Sequence, residues 1–489
     1  MRRVLWPVVG SVALAAVSAT AGPEMLIATL VALVAVTIVA TRPTWGVATL
    51  LTLLMVQYGS RRYEREGVAG IISLLPGGAG LLTVNNLLGL FLALLMFYEI
   101  YRDNNWSFLR SRPLHLVILI TAVLALSDFM SGIDPSQFDQ IGLSMSTGQD
   151  PIRLLVSRAL FLVLFIFFVR RPRDVRLLIA VFVGLAVITA WSGAQASFVG
   201  GGRPEIADYR AGGTEVLIQS TQNPNRLALV CTIALVMIWT YAQADVVRRW
   251  RLLALAACLL MVLTVFLSAS RGGLIGMSVA GLMLFVRVRG GSGGVLYLLA
   301  ALTIGAVLIS EMVPPEAFER LGNLPGLSRD DGMGSAEGEG SLQRRSYTYK
   351  LGVELWEKAP IIGVGPGNWP LVRFMNDPLR SAAAPHSSYL QALVEGGVVS
   401  LALYLALFAI AVRDLVRCER SPEAMAAAKR DGLDWVVAAT RICLITLMVF
   451  SLFADLWYLV FAYFLIGLAC VLTQRYLPLA GAAPQLQAA

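Results

Sequence analysis

Long apolar segments recur along the whole chain and are separated by short polar ones. Most of them hold roughly 17 to 25 residues, the length that a helix needs to cross about 30 Å of hydrocarbon. The pattern predicts an all-α polytopic membrane protein with about fourteen spanning helices. These lie at about 4–20, 24–41, 44–58, 80–101, 114–131, 154–170, 175–193, 225–243, 252–269, 272–288, 292–312, 387–412, 434–453 and 456–473.

Composition supports this fold class. Hydrophobic residues make up 57% of the chain and charged residues 14%, and the mean hydropathy is +0.71. Soluble domains carry about 25% charged residues, so the chain is predicted to be integral to a membrane. The cysteines lie in or beside apolar segments without the spacing of metal ligands, and we expect small buried side chains. They are Cys231, Cys258, Cys418, Cys443 and Cys470.

The net charge of +8 is distributed unevenly between alternate loops. If the chain alternates from an inner N-terminus with Arg2 and Arg3, the arginine-rich segments 170–176 and 413–430 fall on that same side. The positive-inside rule makes this side cytoplasmic. Both termini are then cytoplasmic, and the long loop 313–385 faces outward. The positive charge therefore follows from membrane topology, and we expect no nucleic-acid partner.

The predicted spans divide the chain into three parts. Residues 1–312 hold eleven spans, 313–385 form one extracytoplasmic loop, and 386–489 hold three spans and a cytoplasmic tail. The first span, 4–20, also has the basic start and short apolar core of a secretory signal. We expect it to remain uncut, because a second spanning segment follows at once.

The long outward loop contains two kinds of sequence. Residues 322–341 are rich in glycine, aspartate and glutamate, which is typical of a flexible, solvated linker. The pattern becomes helical from Ser346 to Trp356. The glycine-rich turn 360–369 follows without a βαβ pattern before it, so it is weak evidence for nucleotide binding. We expect its glycines to let the backbone approach a substrate.

One of the two histidines opens the twelfth predicted span at its outer end. His386 follows Pro385, which ends the loop, and precedes Ser387, which suits a helix N-cap. Histidine titrates near neutral pH and accepts protons from hydroxyl groups in acid–base catalysis. We predict a catalytic base at His386. The alternative is that the side chain only orients the start of the helix.

An arginine lies in a very short outward turn between two predicted spans. Arg271 belongs to the segment 268–273, where little water surrounds it, and a guanidinium in such a place needs an anionic partner. Because a guanidinium is always charged, the position favours an anionic ligand. The alternative is a cation that stabilises the C-terminus of the preceding helix.

Further polar residues lie at the outward ends of spans or just inside them. Arg158 is about a turn inside the sixth span, where it either snorkels or faces a wet cavity. No group of these residues has the spacing of metal ligands, so we predict no metal site. Among the residues predicted to bind substrate are Arg158, Gly363, Gly365, Gly367, Asn368 and Glu395.

Three segments, in this order, resemble the O-antigen ligase and O-antigen polymerase family of bacterial envelope glycosyltransferases. They are Arg210 with Asn223-Pro224-Asn225, then 268–273, and then 360–369 with 385–391. The resemblance is best over about 205–412, and the first seven spans resemble the family only in hydropathy. It implies a GT-C-like fold.

The resemblance implies a metal-independent enzyme of the bacterial inner membrane without a cofactor. Such an enzyme moves a glycan from undecaprenyl diphosphate to a sugar or lipid-core hydroxyl at the periplasmic face. The reaction belongs to polysaccharide and lipopolysaccharide biosynthesis, and membrane lipids surround the enzyme. By resemblance, Arg271 and Arg210 hold the diphosphate, and His386 sits beside the acceptor. The interval between Arg210 and the Asn-Pro-Asn turn is longer than is usual in the family. Arg203 and Arg226 are therefore alternatives to Arg210.

A lipid-linked glycan flippase or another secondary transporter is the competing hypothesis. Transporters usually carry ionisable residues near mid-membrane and internal repeats. The chain has few ionisable residues inside its predicted spans and no convincing repeat. We therefore favour the enzyme. Ligase and polymerase differ only in their acceptor, and no residue of the sequence distinguishes them.

Overall fold

The computed structural model describes residues 36–56, 84–131, 151–199, 223–244, 250–268, 270–288, 336–376 and 385–480. Within these ranges the regular structure is helical and no strand occurs, which confirms the all-α class. The helices are α1 (Pro43–Val56), α2 (Val84–Asp103), α3 (Arg112–Ser131), α4 (Pro151–Phe168), α5 (Pro172–Val199), α6 (Pro224–Ala242), α7 (Arg251–Leu267), α8 (Arg271–Val288), α9 (Ala336–Lys358), α10 (Trp369–Asn376), α11 (Ser388–Arg420), α12 (Pro422–Arg430), α13 (Asp434–Phe450) and α14 (Val460–Ala480).

Six of the described helices are long and apolar enough to cross a membrane: α3, α4, α5, α6, α11 and α14. A seventh span results if α12 and α13, which bend by 112° at the break between them, are taken together. Helices α1 and α7 are apolar but shorter. The number fourteen stays a prediction, because the segments 4–20 and 292–312 lie outside the described residues.

Two helix boundaries differ from those expected. Helix α11 continues to Arg420, so the cytoplasmic loop expected to begin at Arg413 is helical. Its last turns bury Leu415 and Cys418, and basic residues are favourable at a helix C-terminus. Helix α9 begins at Ala336 rather than at Ser346. Its first residues include alanine and glutamate, which favour helix although the composition resembles a linker.

The centre of the bundle is built by α13 and α14. Helix α14 is buried on almost all sides, as expected for a helix that is apolar all round. Its Phe464 stacks on Phe182 of α5 with ring centroids 4.8 Å apart, and it meets the edge of Phe165 of α4 at 6.0 Å. Both helices also pack on α11. They therefore hold the loop between α13 and α14 at a fixed place at one end of the bundle.

The opposite end of the bundle is basic. There Arg475 Nε donates to Asp431 Oδ2 at 2.7 Å, and Arg475 Nη1 donates to the carbonyl of Arg170 at 3.3 Å. The guanidinium of Arg475 holds the pKa of Asp431 below its usual range. The structure thus joins loops that were predicted to share the cytoplasmic side. Which side of the membrane this end faces stays a prediction.

Helix α11 is broken at Gly397, where φ is 67° and ψ is −171°. A Cβ atom at this position would lie 2.1 Å from the carbonyl oxygen of Ile361. Gly363 has φ of 73°, and its Cβ would lie 2.5 Å from the carbonyl oxygen of Val394. Only glycine allows both the left-handed backbone and this approach. The glycine turn 360–369 therefore lies directly against the break.

Hydrogen bonds across this contact replace those that α11 loses at its break. The amides of Val364 and Gly365 donate to the carbonyls of Val394 and Glu395, at 2.9 and 3.0 Å. In the other direction, the amide of Val398 donates to the carbonyl of Pro360 at 2.9 Å. The glycines were expected to bring backbone close to a substrate. In the structure Gly363 and Gly365 bring it close to α11, and Gly367 brings it close to Pro151 of α4. The part of the glycines in substrate binding stays a prediction.

Orientation in the membrane can be measured by cysteine labelling. Asn376→Cys and Lys429→Cys place thiols at exposed positions on α10 and α12. A membrane-impermeant maleimide added to intact cells should label only the first, because the basic end is expected to be cytoplasmic. The native cysteines are all buried, which keeps background labelling low. The reverse labelling pattern would contradict the predicted orientation.

The break in α11 should be intolerant of a side chain. Gly397→Ala should lower the free energy of unfolding by about 2 kcal/mol or more, because left-handed backbone costs about 1–2 kcal/mol and overpacking about 1–3 kcal/mol. The matched control is Gly184→Ala in α5, where a Cβ meets nothing within 4 Å. The control should leave stability unchanged or raise it. Thermal denaturation midpoints in detergent that are equal for Gly397→Ala and Gly184→Ala would refute the strain argument.

Candidate active site

At the end of the bundle opposite Arg475, many polar contacts converge on residues 451–459, the α13–α14 loop. Its backbone is held by Ser388, the first residue of α11. Ser388 Oγ donates to the carbonyl of Ala454 and accepts from the amide of Leu456, both at 2.8 Å. The amide of Ser388 donates to the carbonyl of Ser451 at 2.8 Å. The start of α11 and the loop thus form one unit.

His386 lies just before this helix start. Ser387 is the N-cap residue, and its Oγ accepts from the amide of Leu390 at 3.4 Å, as the sequence predicted. His386 has φ of 52°, a left-handed conformation that is uncommon for a residue other than glycine. Its side chain is 36% exposed, and Nδ1 lies 3.9 Å from Oδ1 of Asp455. The imidazole is therefore partly accessible at the protein surface and faces a carboxylate.

Asp455 lies between the imidazole and an arginine. Its Oδ2 accepts from Arg226 Nη2 at 2.6 Å, a charge-assisted hydrogen bond between side chains that are 17% and 18% exposed. Among the described residues, no hydrogen-bond donor reaches its Oδ1, the oxygen nearest His386. Asp455 was not among the predicted site residues, because it stands in the short gap between two predicted spans. An ionisable residue so close to apolar segments is the signal that could have identified it.

The Asn-Pro-Asn turn connects α6 to the same loop. Asn223 is the N-cap of α6, with its Oδ1 accepting from the amide of Asn225 at 2.9 Å, and Pro224 occupies the first turn. Asn225 Nδ2 donates to the carbonyl of Phe453 at 3.0 Å, and its Oδ1 accepts from Ser270 Oγ. The Asn-Pro-Asn turn and the segment 268–273 are far apart in the sequence. In the structure they meet through the side chains of Asn225 and Ser270.

Arg271 is the first residue of α8, and it is half-buried. Ser270 Oγ accepts from the amide of Gly273 at 2.9 Å, as an N-cap side chain does. Arg271 follows Ser268, the C-cap of the preceding helix, by three positions, so both roles expected for it, phosphate binding and stabilisation of that helix end, stay predictions. A cation at a helix N-terminus is opposed by the helix dipole. The guanidinium of Arg271 and the N-terminus of α8 therefore both make the electrostatic potential positive at this point. The next residue, Gly272, lies beside Phe453 of the α13–α14 loop.

The other predicted arginines have different surroundings. Arg158 of α4 is 3% exposed, and its Nε donates to the carbonyl of Tyr458 at 3.1 Å. It thus lies in the protein interior next to the α13–α14 loop rather than at the interface. Arg203 and Arg210 lie outside the described residues, so their roles stay predictions. Arg226 is held by Asp455, and its binding of substrate also stays a prediction.

Glu395 and Asn368 are occupied by protein groups. The carboxylate of Glu395 is buried and accepts from Tyr458 Oη at 2.7 Å and from Gln391 Nε2 at 3.2 Å. The backbone of Gly367 also hydrogen-bonds to it. Asn368 Nδ2 donates to the carbonyl of Val364 at 2.9 Å, within the glycine turn. Neither side chain is presented on a surface.

Together these contacts bring His386, Asp455, Arg226 and the helix start at Arg271 to one loop. Chemically, the arrangement offers an imidazole beside a carboxylate, and fixed guanidinium groups nearby. An imidazole so placed can take a proton from a hydroxyl group, and a guanidinium can bind and stabilise phosphate oxygens. The same set would serve the displacement of a phosphate leaving group by an alcohol.

Comparison with known protein families supports the resemblance seen in the sequence. Residues 256–405 match the family model described as O-antigen ligase. The matched region includes Arg271 and His386, whereas Arg226 and Asp455 lie outside it. The comparison with curated proteins found no match. The match over residues 256–405 confirms the resemblance of this part of the chain to the O-antigen ligase and polymerase family.

Proposed function

We propose that this protein transfers a glycan from an undecaprenyl-diphosphate-linked donor to a sugar hydroxyl at the outer face of the bacterial inner membrane. The observation that carries the proposal is the convergence of His386, Asp455, Arg226 and the start of α8 at Arg271 on the α13–α14 loop. The match to the O-antigen ligase model supports the reaction class. The acceptor is either a lipid-core sugar or a growing chain.

The donor side requires stabilisation of a diphosphate leaving group. As the bond between the anomeric carbon and the phosphate oxygen breaks, negative charge grows on that oxygen. A fixed cation beside it lowers the energy of the transition state more than that of the ground state. Arg271 supplies such a cation, and the amides at the start of α8 add to it. These charges take the role that a metal ion has in other transferases, so the proposed reaction uses none.

The acceptor side requires removal of a proton. His386 Nε2 accepts the proton of the attacking hydroxyl while the new bond from oxygen to the anomeric carbon forms. Asp455, on the Nδ1 side, orients the ring and stabilises the imidazolium that results. Arg226 keeps Asp455 in place through its hydrogen bond. Because distances in an unliganded site often shorten when substrate binds, 3.9 Å suits this role.

The role of Arg271 can be tested with two substitutions. Arg271→Ala should abolish transfer from a lipid-linked repeat unit, and Arg271→Lys should recover little, because a point charge lacks the fork of a guanidinium. Activity is measured with purified protein, and size-exclusion chromatography confirms that each variant is folded. The control is Arg251→Ala, an exposed arginine at the start of α7. A fully active Arg271→Lys variant would contradict diphosphate binding.

The roles of His386 and Asp455 predict different pH profiles. His386→Ala should reduce kcat by about two to four orders of magnitude, the usual range for acid–base catalysis. In the wild type, kcat should rise with pH as the imidazole loses its proton. Asp455→Asn removes a negative charge beside Nδ1, which favours the neutral ring, so the midpoint of the profile should move to lower pH.

His386→Gln separates a base from an orienting residue. Glutamine can keep a hydrogen bond at the helix start but cannot take a proton from the acceptor. If His386 is the base, this variant should be nearly as slow as His386→Ala. Turnover near the wild-type rate, with an unchanged pH profile, would show that the histidine only orients the helix.

A further inference from the structure

A buried carboxylate in α11 joins the two irregular segments that flank the candidate active site. We infer that Glu395 is a positioning residue: it ties the glycine turn 360–369 to the α13–α14 loop, and through Tyr458 it sets the position of Asp455 beside His386. The kinetic part of this inference rests on the proposed function. The structural part does not depend on that function.

The main chain of Glu395 holds the glycine turn. Its carbonyl lies just before the break in α11 and accepts from the amide of Gly365 at 3.0 Å. The same carbonyl accepts from Ser127 Oγ of α3 at 2.9 Å. Because the break removes the helical donor for this carbonyl, both partners come from other segments. The backbone at Glu395 is therefore the point where the turn, α3 and α11 meet.

The side chain of Glu395 has hydrogen-bond partners different from those of its carbonyl. Oε2 accepts from Tyr458 Oη at 2.7 Å, and Oε1 accepts from Gln391 Nε2 at 3.2 Å. The residue is 1% exposed, so a substrate cannot reach the carboxylate without displacing protein groups. Glu395 therefore acts through its neighbours. This differs from the direct substrate binding that the sequence predicted.

Tyr458 carries the effect to the active site. It lies in the α13–α14 loop, three positions after Asp455, and its carbonyl accepts from Arg158 Nε at 3.1 Å. The hydroxyl bond to Glu395 and the carbonyl bond to Arg158 fix both ends of this residue. Without the hydroxyl bond, the loop loses its connection to α11 on this side. The carboxylate of Asp455 would then sample positions away from the imidazole of His386.

An amide at position 395 should preserve these connections. Glutamine can accept from Tyr458 Oη as the carboxylate does. Its amide group can donate to Gln391 Oε1, a buried acceptor without a hydrogen-bond partner among the described residues. What the site needs is thus the shape and hydrogen bonding of the side chain, and its charge is dispensable. Glu395→Gln and Glu395→Leu separate these two properties.

The test combines kinetics with hydrogen exchange on the full-length protein. Tyr458→Phe and Glu395→Leu should each lower kcat by about tenfold or more, because a small displacement of a catalytic group slows the reaction strongly. KM for the lipid-linked donor should stay nearly constant, and Glu395→Gln should keep most of the rate. Amides of the α13–α14 loop should exchange faster in the two slow variants, and those of the glycine turn should do so in Glu395→Leu.

The matched control is Tyr463→Phe. Tyr463 is buried, and its hydroxyl donates to the carbonyl of Trp457 in the same loop at 3.4 Å, but it has no bond to Glu395. This variant should keep the wild-type kcat and exchange pattern. Equal effects of Tyr458→Phe and Tyr463→Phe on rate and exchange would overturn the inference. If the wild type transfers no glycan, the proposed function fails, and the exchange data still decide whether Glu395 holds the two segments together.

Discussion

The candidate active site depends on how one irregular loop satisfies its backbone at the end of an apolar bundle. A buried carbonyl without a donor is costly, and in hydrocarbon it is avoided almost entirely. The carbonyls of the α13–α14 loop receive donors from side chains of different helices. Asn225 of α6 donates to the carbonyl of Phe453, and Ser388 of α11 donates to the carbonyl of Ala454. The need to satisfy this loop therefore draws the starts of several helices together.

The same requirement explains why polar residues cluster here in a chain that is otherwise apolar. Arg226 donates both to the backbone and to the side chain of Asp455. Arg158 donates to the carbonyl of Tyr458 from the interior. These residues hold the loop in place, and in doing so they set the electrostatics around His386. Structural support and proposed chemistry thus rest on the same hydrogen bonds.

A second irregular segment is satisfied in a complementary way. The break of α11 at Gly397 leaves carbonyls and amides without helical partners, and the backbone of the glycine turn pairs with them. Because backbone meets backbone, the arrangement needs glycine at the points of contact and little else. The turn thereby connects α9 and α10 to the helix that begins beside His386.

Local patterns in the sequence already determined much of this protein. Apolar periodicity predicted the helices, because a segment that enters hydrocarbon must be both apolar and helical. Capping residues predicted where helices begin: Ser387 and Asn223 act as N-caps because their side chains reach amides in the next turn. His386 stood out as a titratable group at a helix start, and Arg271 stood out as a cation in a very short turn between two predicted spans. Each of these signals is local, because it involves residues within a few positions along the chain.

Tertiary structure alone decided which of these residues meet. Asp455 carries no local signal of a partner, yet it pairs with Arg226, which lies far away in the sequence, and faces His386. Glu395 looked like a ligand for substrate, but its contacts with Tyr458 and Gln391 exist only once α11 packs against the α13–α14 loop. The contact of the glycine turn with the break in α11 also carries no signal in the sequence. Pairings of this kind depend on how the helices pack against one another, and no periodicity or spacing along the chain encodes them.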